Sequence, residues 1–313
     1  MDLKQLDYFV QVAELGSFTR AATQLSVVQS ALSRQVRALE VELRQPLFER
    51  TGRGVTLTEA GKRLLEHGRG ILQQVERARL DIENQRGAAT GRLVIGLPPS
   101  VSRALTGPLV TAFRQRFPKA TLSVVEGLST YVMEWLAIGR VDCAVVYNVG
   151  SSAAIDLMPV LHEQLYLVSA RSGARLGTAD RASKATRAAR LVGPPITLAE
   201  VAERELVIPS RPHSIRMLLE AALANEGRRA TVALEIESIP AILDLVQNDG
   251  FHAVLALNAI KTSGKEPGLS VRPIGKPKLT TTLWIATSAQ RPRGPLIDQS
   301  TALVRELLLK LWE

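Results

Sequence analysis

Apolar residues recur at Leu3, Leu6, Phe9, Val10 and Ala13, a three-and-four spacing that predicts an amphipathic helix over residues 2–15. Gly16 ends it, and Ser17 stands where a cap for the next helix is needed. A short helix with Phe18, Ala21, Ala22 and Leu25 follows, then a tight connection and a third helix over about 29–43. The third helix has one apolar face (Leu32, Val36, Leu39, Leu43) and one polar face (Ser30, Ser33, Arg34, Arg37), and Pro46 stops the pattern. Residues 47–58 alternate around Gly52-Arg53-Gly54 and predict a two-stranded turn.

A long helix is predicted from Thr58, its N-cap, to about Arg86. Leu64, Gly68, Ile71, Val75, Ala78 and Ile82 fall at spacings of 4, 3, 4, 3 and 4, a heptad seam. One narrow stripe on so long a helix calls for a partner helix, so Leu64, Ile71, Val75, Ala78 and Ile82 are expected to dimerise. Gly68 and Gly70 each weaken a helix by about 1 kcal/mol relative to Ala, which packing has to offset. Small residues 87–91 read as a hinge. Beyond it, strand-like runs (93–97, 121–125, 143–147, 165–169, 206–208, 232–236, 253–257, 270–274, 281–287) alternate with helical ones (105–117, 131–139, 296–311), predicting an α/β domain with a parallel sheet covered on both faces. Residues 171–195, rich in Arg, Ala and Gly, read as a surface loop.

The 313 residues exceed what one core supports, so more than one domain is expected. No apolar run approaches the roughly 18 residues of a membrane span, and no secretory leader is legible. The single cysteine, Cys143, excludes an internal disulfide and a cysteine metal cluster; it sits mid-strand as a small buried hydrophobe. A reducing cytoplasm fits. The net charge of +9 suits an anionic partner, but residues 1–90 hold 13 Lys/Arg against 11 Asp/Glu, only +2. Affinity of residues 1–90 for such a partner therefore has to come from placement rather than bulk charge.

Placement is what residues 17–40 supply. Two helices that cross closely need Ala22 at the contact and Leu25, Val27, Leu32 and Val36 to fix the angle; Gln29, Ser30, Ser33, Arg34 and Arg37 then face outward, with Arg50 and Arg53 on the wing. Together with Leu32-Ser-Arg-Gln-Val-Arg-Ala-Leu-Glu40, Pro46-Leu-Phe-Glu-Arg50 and Leu57-Thr-Glu-Ala-Gly61, this resembles the signature of LysR-type transcriptional regulators. The resemblance implies an α+β chain: a mostly α winged helix-turn-helix (1–58), a linker helix and hinge (59–90), and a two-lobed α/β domain like a periplasmic binding protein (91–313). Lobe 1 would take about 91–162 and 268–313, and lobe 2 about 163–267. It also implies double-stranded DNA with an interrupted palindrome near a promoter, RNA polymerase, and a dimer of dimers. Arg34 would read guanine and Gln29 adenine, while Arg50 and Arg53 would hold phosphate or the minor groove. Val28 stands where the family often has Ser, and Ser30 where Pro is common.

In the resemblance the effector lies between the lobes, where strand ends and helix N-termini meet. Ser100 and Ser102, Ser129 and Thr130, and Ser210 and His213 fall there, with Arg211 nearby, which suits a small, anionic effector; the same hydroxyls would also serve as ordinary caps. No cofactor or metal is expected. Dinucleotide, Walker, nucleophile-elbow and HExxH motifs are absent, and His67, His162, His213 and His252 are scattered, which speaks against an enzyme. A transport binding protein would need a leader and no DNA-binding head. A regulator without effector, governed by its own abundance, is the alternative.

Overall fold

The computed structural model describes residues 1–51, 54–83, 90–150, 152–171, 192–265 and 268–312. Most of the Arg-rich 171–195 segment and the 84–89 part of the hinge lie outside them.

The head is built from α1 (Leu3–Leu15), α2 (Phe18–Gln24) and α3 (Gln29–Leu43). Asp2 caps α1 by accepting from Gln5 N at 2.7 Å, and Gly16 ends it in the left-handed region at φ 61°. Ser17 Oγ accepts from Arg20 N at 3.4 Å and starts α2. Tyr8 and Val12 of α1 meet Ala21 of α2 and Leu32 and Val36 of α3 in one small core. Strands β1 (Phe48–Thr51) and β2 (Gly54–Leu57) pair antiparallel with Phe48 opposite Leu57. The Phe48 ring, 5.3 Å from Phe9 and 5.6 Å from Phe18, anchors this wing to the helices. Glu40 accepts from Leu47 N at 2.8 Å and fixes the exit from α3.

Helix α4 (Glu59–Glu83) opens where Thr58 Oγ1 accepts from Gly61 N at 3.0 Å. Its 25 residues span about 37 Å. A Cβ on Gly61 would overlap the Leu47 carbonyl, so only glycine lets the helix lie against the wing. Gly68 faces Leu6 and Val10 of α1, and Leu64 packs beside Leu39 and Leu47. The first half of the heptad seam is therefore spent within the head.

Lobe 1 is a mixed sheet. Strand β3 (Gly91–Leu97) lies parallel between β4 (Ala120–Glu126) and β5 (Cys143–Tyr147). Next come β12 (Thr280–Ser288), antiparallel to β5, and the first half of β6 (Ile155–Ala170). The antiparallel β12 departs from the all-parallel expectation because it is the return strand from the other lobe. Helices α5 (Pro99–Arg116) and α11 (Pro295–Trp312) cover one face around Leu105, Leu109, Phe113 and Val304; α6 (Ser129–Ala137) covers the other with Val132 and Leu136. Cys143 is buried among the first set. Helix α5 starts earlier than its apolar pattern, since Pro99 suits a first helical position, and it continues through Pro108.

Strand β6 is sixteen residues long, about three times the predicted run at 165–169, because it crosses between lobes. Residues 155–164 pair with β12; residues 165–170 pair with β10 (Ala253–Ala256) and β11 (Leu269–Lys276). Strand β11 also pairs with the short β7 (Ile196–Thr197), and Leu269, Val271 and Ile274 are buried in lobe 2. Residues 269–276 thus belong to lobe 2, not lobe 1 as the sequence suggested, since their apolar side chains face lobe 2's helices; the return crossing falls just after them. Lobe 2 adds α7 (Leu198–Ala202), β8 (Glu205–Ile208), α8 (Ser214–Asn225), β9 (Thr231–Glu235), α9 (Ile239–Asp249) and α10 (Leu257–Lys261).

Replacing Gly61 by Ala is expected to cost about 1–3 kcal/mol by forcing α4 off the wing. Urea unfolding of the full chain measures it, and a loss below the resolution of that titration would remove the packing argument.

Candidate functional site

Three places carry the sequence-derived candidates. On α3, Gln29, Ser30, Arg34 and Arg37 are exposed and Ser33 is half-buried; Ser30, Ser33, Arg34 and Arg37 turn away from the buried Leu32, Val36 and Leu39, and Gln29 is exposed at the first turn. Among the described residues neither arginine forms an ion pair. Val28 precedes the helix in extended conformation, 70% exposed, and provides no side-chain cap. Arg50 enters the description only through its backbone, opposite Val55 in the wing; its side chain and all of Arg53 lie outside it.

On α4, Ile71 is 37% and Ile82 73% exposed, Ala78 is exposed and Val75 half-buried. Among the described residues Ile71, Ala78 and Ile82 of this second half are thus exposed. The same helix is docked to lobe 1 through other residues. A Cβ on Gly70 would overlap the Ile138 carbonyl. Glu66 pairs with Arg140, whose guanidinium lies 4.2 Å over the Trp135 ring. Gln73 Nε2 donates to Asp142 Oδ2 at 3.2 Å, and the same oxygen accepts from Val94 N at 2.6 Å.

Between the lobes is a cavity of about 130 Å³. Lobe 1 contributes Ser100 at the start of α5, Ser129 at the start of α6, and Tyr147 at the end of β5; lobe 2 contributes His213, Ser214 and Glu237. Neither α5 nor α6 has a side-chain cap and both begin at this space, Pro99 leaving α5 one N–H fewer in its first turn. Ser129 Oγ accepts from Tyr147 N at 3.0 Å. His213 Nδ1 accepts from Ile215 N at 3.3 Å and caps α8; burial pushes this imidazole below its usual range, against the opposing charge of Glu237. Thr130 lies outside the cavity, exposed, in an adjoining groove with Tyr147 and Pro212. Ser102 turns away to Thr106 at 3.2 Å, and Ser210 faces Glu235. Arg211 is held by Glu220 at 2.8 Å.

Tyr147 and Glu163 were not visible as a pair in the sequence. The Tyr147 hydroxyl donates to Glu163 Oε2 at 2.9 Å, at the point where β6 passes from one lobe to the other. Burial raises the Glu163 carboxyl, partly offset by that hydrogen bond. Burial and then the Glu163 charge hold the Tyr147 phenol well above its usual range. Glu163 gave no signal, since it stands between His162 and Gln164 just before the apolar run at 165–169. Glu237 gave none, since it sits in a loop. His162 pairs with Thr282 at 2.8 Å, and among the described residues no His, Cys, Asp and Glu gather as a metal site. Among them also no helix is long and apolar enough to cross a membrane.

Residues 3–62 match the bacterial regulatory helix-turn-helix domain of the lysR family, and residues 86–309 the LysR substrate-binding domain. The chain belongs to the LysR family of transcription regulators. It is a DNA-binding regulator with an effector-binding domain, and its relatives are regulators rather than enzymes. It is 36% identical over 313 residues to the nitrogen assimilation regulatory protein nac of Klebsiella aerogenes, covering 99% of this chain and 95% of that one. The nac protein of Escherichia coli K12 is 34% identical with the same coverage. A full-length OxyR variant from Pseudomonas aeruginosa has the same fold (TM-score 0.68, 21% identity, 98% and 94% of the two chains covered). So does full-length CbnR complexed with its target DNA (TM-score 0.54, 23% identity, 98% and 99% covered). At these identities the likeness concerns fold alone.

The missing cap on α3 is correctable within this family frame. Val28→Ser is expected to stabilise the head by about 1 kcal/mol. A rise in the melting temperature of the full chain checks it; an unchanged or lower value would count against the cap argument.

Proposed function

We propose that this chain binds an interrupted palindrome beside a target promoter as a symmetric dimer, assembled further into a dimer of dimers, and that a small effector bearing an anionic group, held between the lobes, modulates its output to RNA polymerase in the cytoplasm. The observation that carries the DNA part is the exposed polar face of α3. An α-helix fits the major groove, and Gln29, Ser30, Ser33, Arg34 and Arg37 occupy the side a duplex would meet. Arg34 reads guanine O6 and N7, Gln29 reads adenine, and Arg50 and Arg53 grip the backbone. Because the head carries little net charge, affinity depends on these few residues and on their duplication by the dimer.

The exposed Ile71, Ala78 and Ile82 support a linker-to-linker contact, whereas Leu64 is taken up by the head. For the effector, the uncapped starts of α5 and α6 at the cavity support an anion-binding role for Ser100 and Ser129, with His213 facing them from lobe 2; Ser102, Thr130 and Ser210 do not line that cavity. Helix α6 begins at this cavity, and the loop after it meets α4 through Ile138, Arg140 and Asp142. An effector that prefers one arrangement of the lobes thereby shifts the arrangement of the linkers and the bend of the DNA.

Arg34→Ala is expected to weaken specific binding by about 1–3 kcal/mol, roughly 5- to 150-fold in Kd. Footprinting on the upstream region checks this, and an unchanged footprint would remove Arg34 from the readout. Arg53→Ala should lower the salt slope of binding by about 1, with little change in sequence preference. Ile71→Asp with Val75→Asp should drop the assembly state in sedimentation; an unaltered assembly would move the seam elsewhere.

A further inference from the structure

Among the described residues no lysine or arginine lines the cavity between the lobes, and the one ionised side chain there is the carboxylate of Glu237. The cavity shares Pro99, Leu128 and Glu237 with an outer groove that adds Glu126, the exposed Tyr131, Trp135 and Arg211. Arg211 brings little unmatched charge to that groove. It is bound to Glu220 through Nε at 2.9 Å, within a four-membered network in which Arg216 bonds both Glu220 at 2.9 Å and Glu235 at 2.8 Å. Neither Glu126 nor Glu237 forms an ion pair among the described residues. The groove therefore presents two carboxylates beside the exposed Tyr131 ring, Trp135 being already covered by Arg140, a setting that attracts a cation.

The two lobes differ in what they offer. Lobe 1 presents the uncapped first turns of α5 and α6, whose N–H groups and dipoles suit a carboxylate. Lobe 2 presents Glu237, which repels one. A plain anion would satisfy the first and oppose the second. We propose that the effector is a short zwitterion of the amino-acid type, its carboxylate against the starts of α5 and α6 in lobe 1 and its ammonium against Glu237 of lobe 2. This rests on the reading of the cleft as the effector site. Such a ligand ties the lobes together through opposite charges at its two ends, so its grip is tightest when the lobes are closed on it.

Four probes that differ only in their charged ends test it on the full-length protein. These are 2-aminobutanoate, 4-aminobutanoate, butanoate (the ammonium deleted) and 1-aminopropane (the carboxylate deleted), each titrated by calorimetry at millimolar concentration. At least one amino acid should bind ten-fold or more tighter than either fragment, and Glu237→Gln, an exposed position, should reduce that advantage to the level of butanoate. Butanoate binding as well as both amino acids, and more tightly still in Glu237→Gln, overturns the zwitterion while leaving the cleft as an anion site. Binding undiminished by Ser100→Leu, which narrows the cavity, places the ligand elsewhere and overturns both readings. No binding of any probe also overturns both.

Discussion

Everything in this molecule hangs on one helix meeting three surfaces. Helix α4 runs against the wing at Gly61, against α1 at Gly68, and against lobe 1 at Gly70. At the first and third of these positions the opposing atom is a backbone carbonyl, which cannot be displaced as a flexible side-chain tip can. Glycine costs a helix about 1 kcal/mol at each such site. The cost is offset by what close approach makes available: the apolar packing of Leu64 and Leu65 on the head, and the Glu66–Arg140 and Gln73–Asp142 contacts on lobe 1. The helix is thus a spine with the DNA-reading head fixed at one end and the effector domain fixed at its middle.

That arrangement gives the faces of α4 different duties. Leu64 and Gly68 are consumed by the head, and Gly70 and Gln73 by lobe 1, while Ile71, Ala78 and Ile82 stay open. A second copy arriving on the open face would join two heads without disturbing either intramolecular contact. The ion pair of Arg140 is partly exposed and modest in strength by itself. Its stacking on Trp135 matters more, because Trp135 also lines the groove outside the cleft. One side chain thereby touches both the linker's anchor and the ligand's approach.

The cleft is organised by the long strand β6. Its change of partners from β12 to β10 and β11 makes it the axis between the lobes, and Glu163 at that change is tied to Tyr147 in the cavity wall. Glu163 is thus a carboxyl kept from water where the strand changes lobes, held by a phenol that lines the cavity.

Local rules were enough for the head. Periodicity marked α1 to α3 and alternation the wing, and Gly16, Ser17 and Thr58 act within a turn of where they stand. The same locality made Ser100, Ser129 and His213 legible as helix starts, whereas Ser102 and Ser210, equally plausible by sequence, turn to Thr106 and Glu235. The lobe boundary was misplaced at 268 because strand β11 is apolar whichever sheet it joins; only pairing decides. Arg211 read as a ligand cation because its partner Glu220 lies two helical turns into α8, out of sight of the motif. Glu237 and Glu163 carry no local signature, and their roles arise from residues far apart in sequence. Short-range periodicity and turn residues made the helix-turn-helix and the α/β pattern legible along the chain, while the two lobes were implied by the resemblance of its motifs. Which glycines are docking points, which linker residues are exposed and which charge faces the cleft emerge from the fold, because each depends on backbone approach or burial between distant segments.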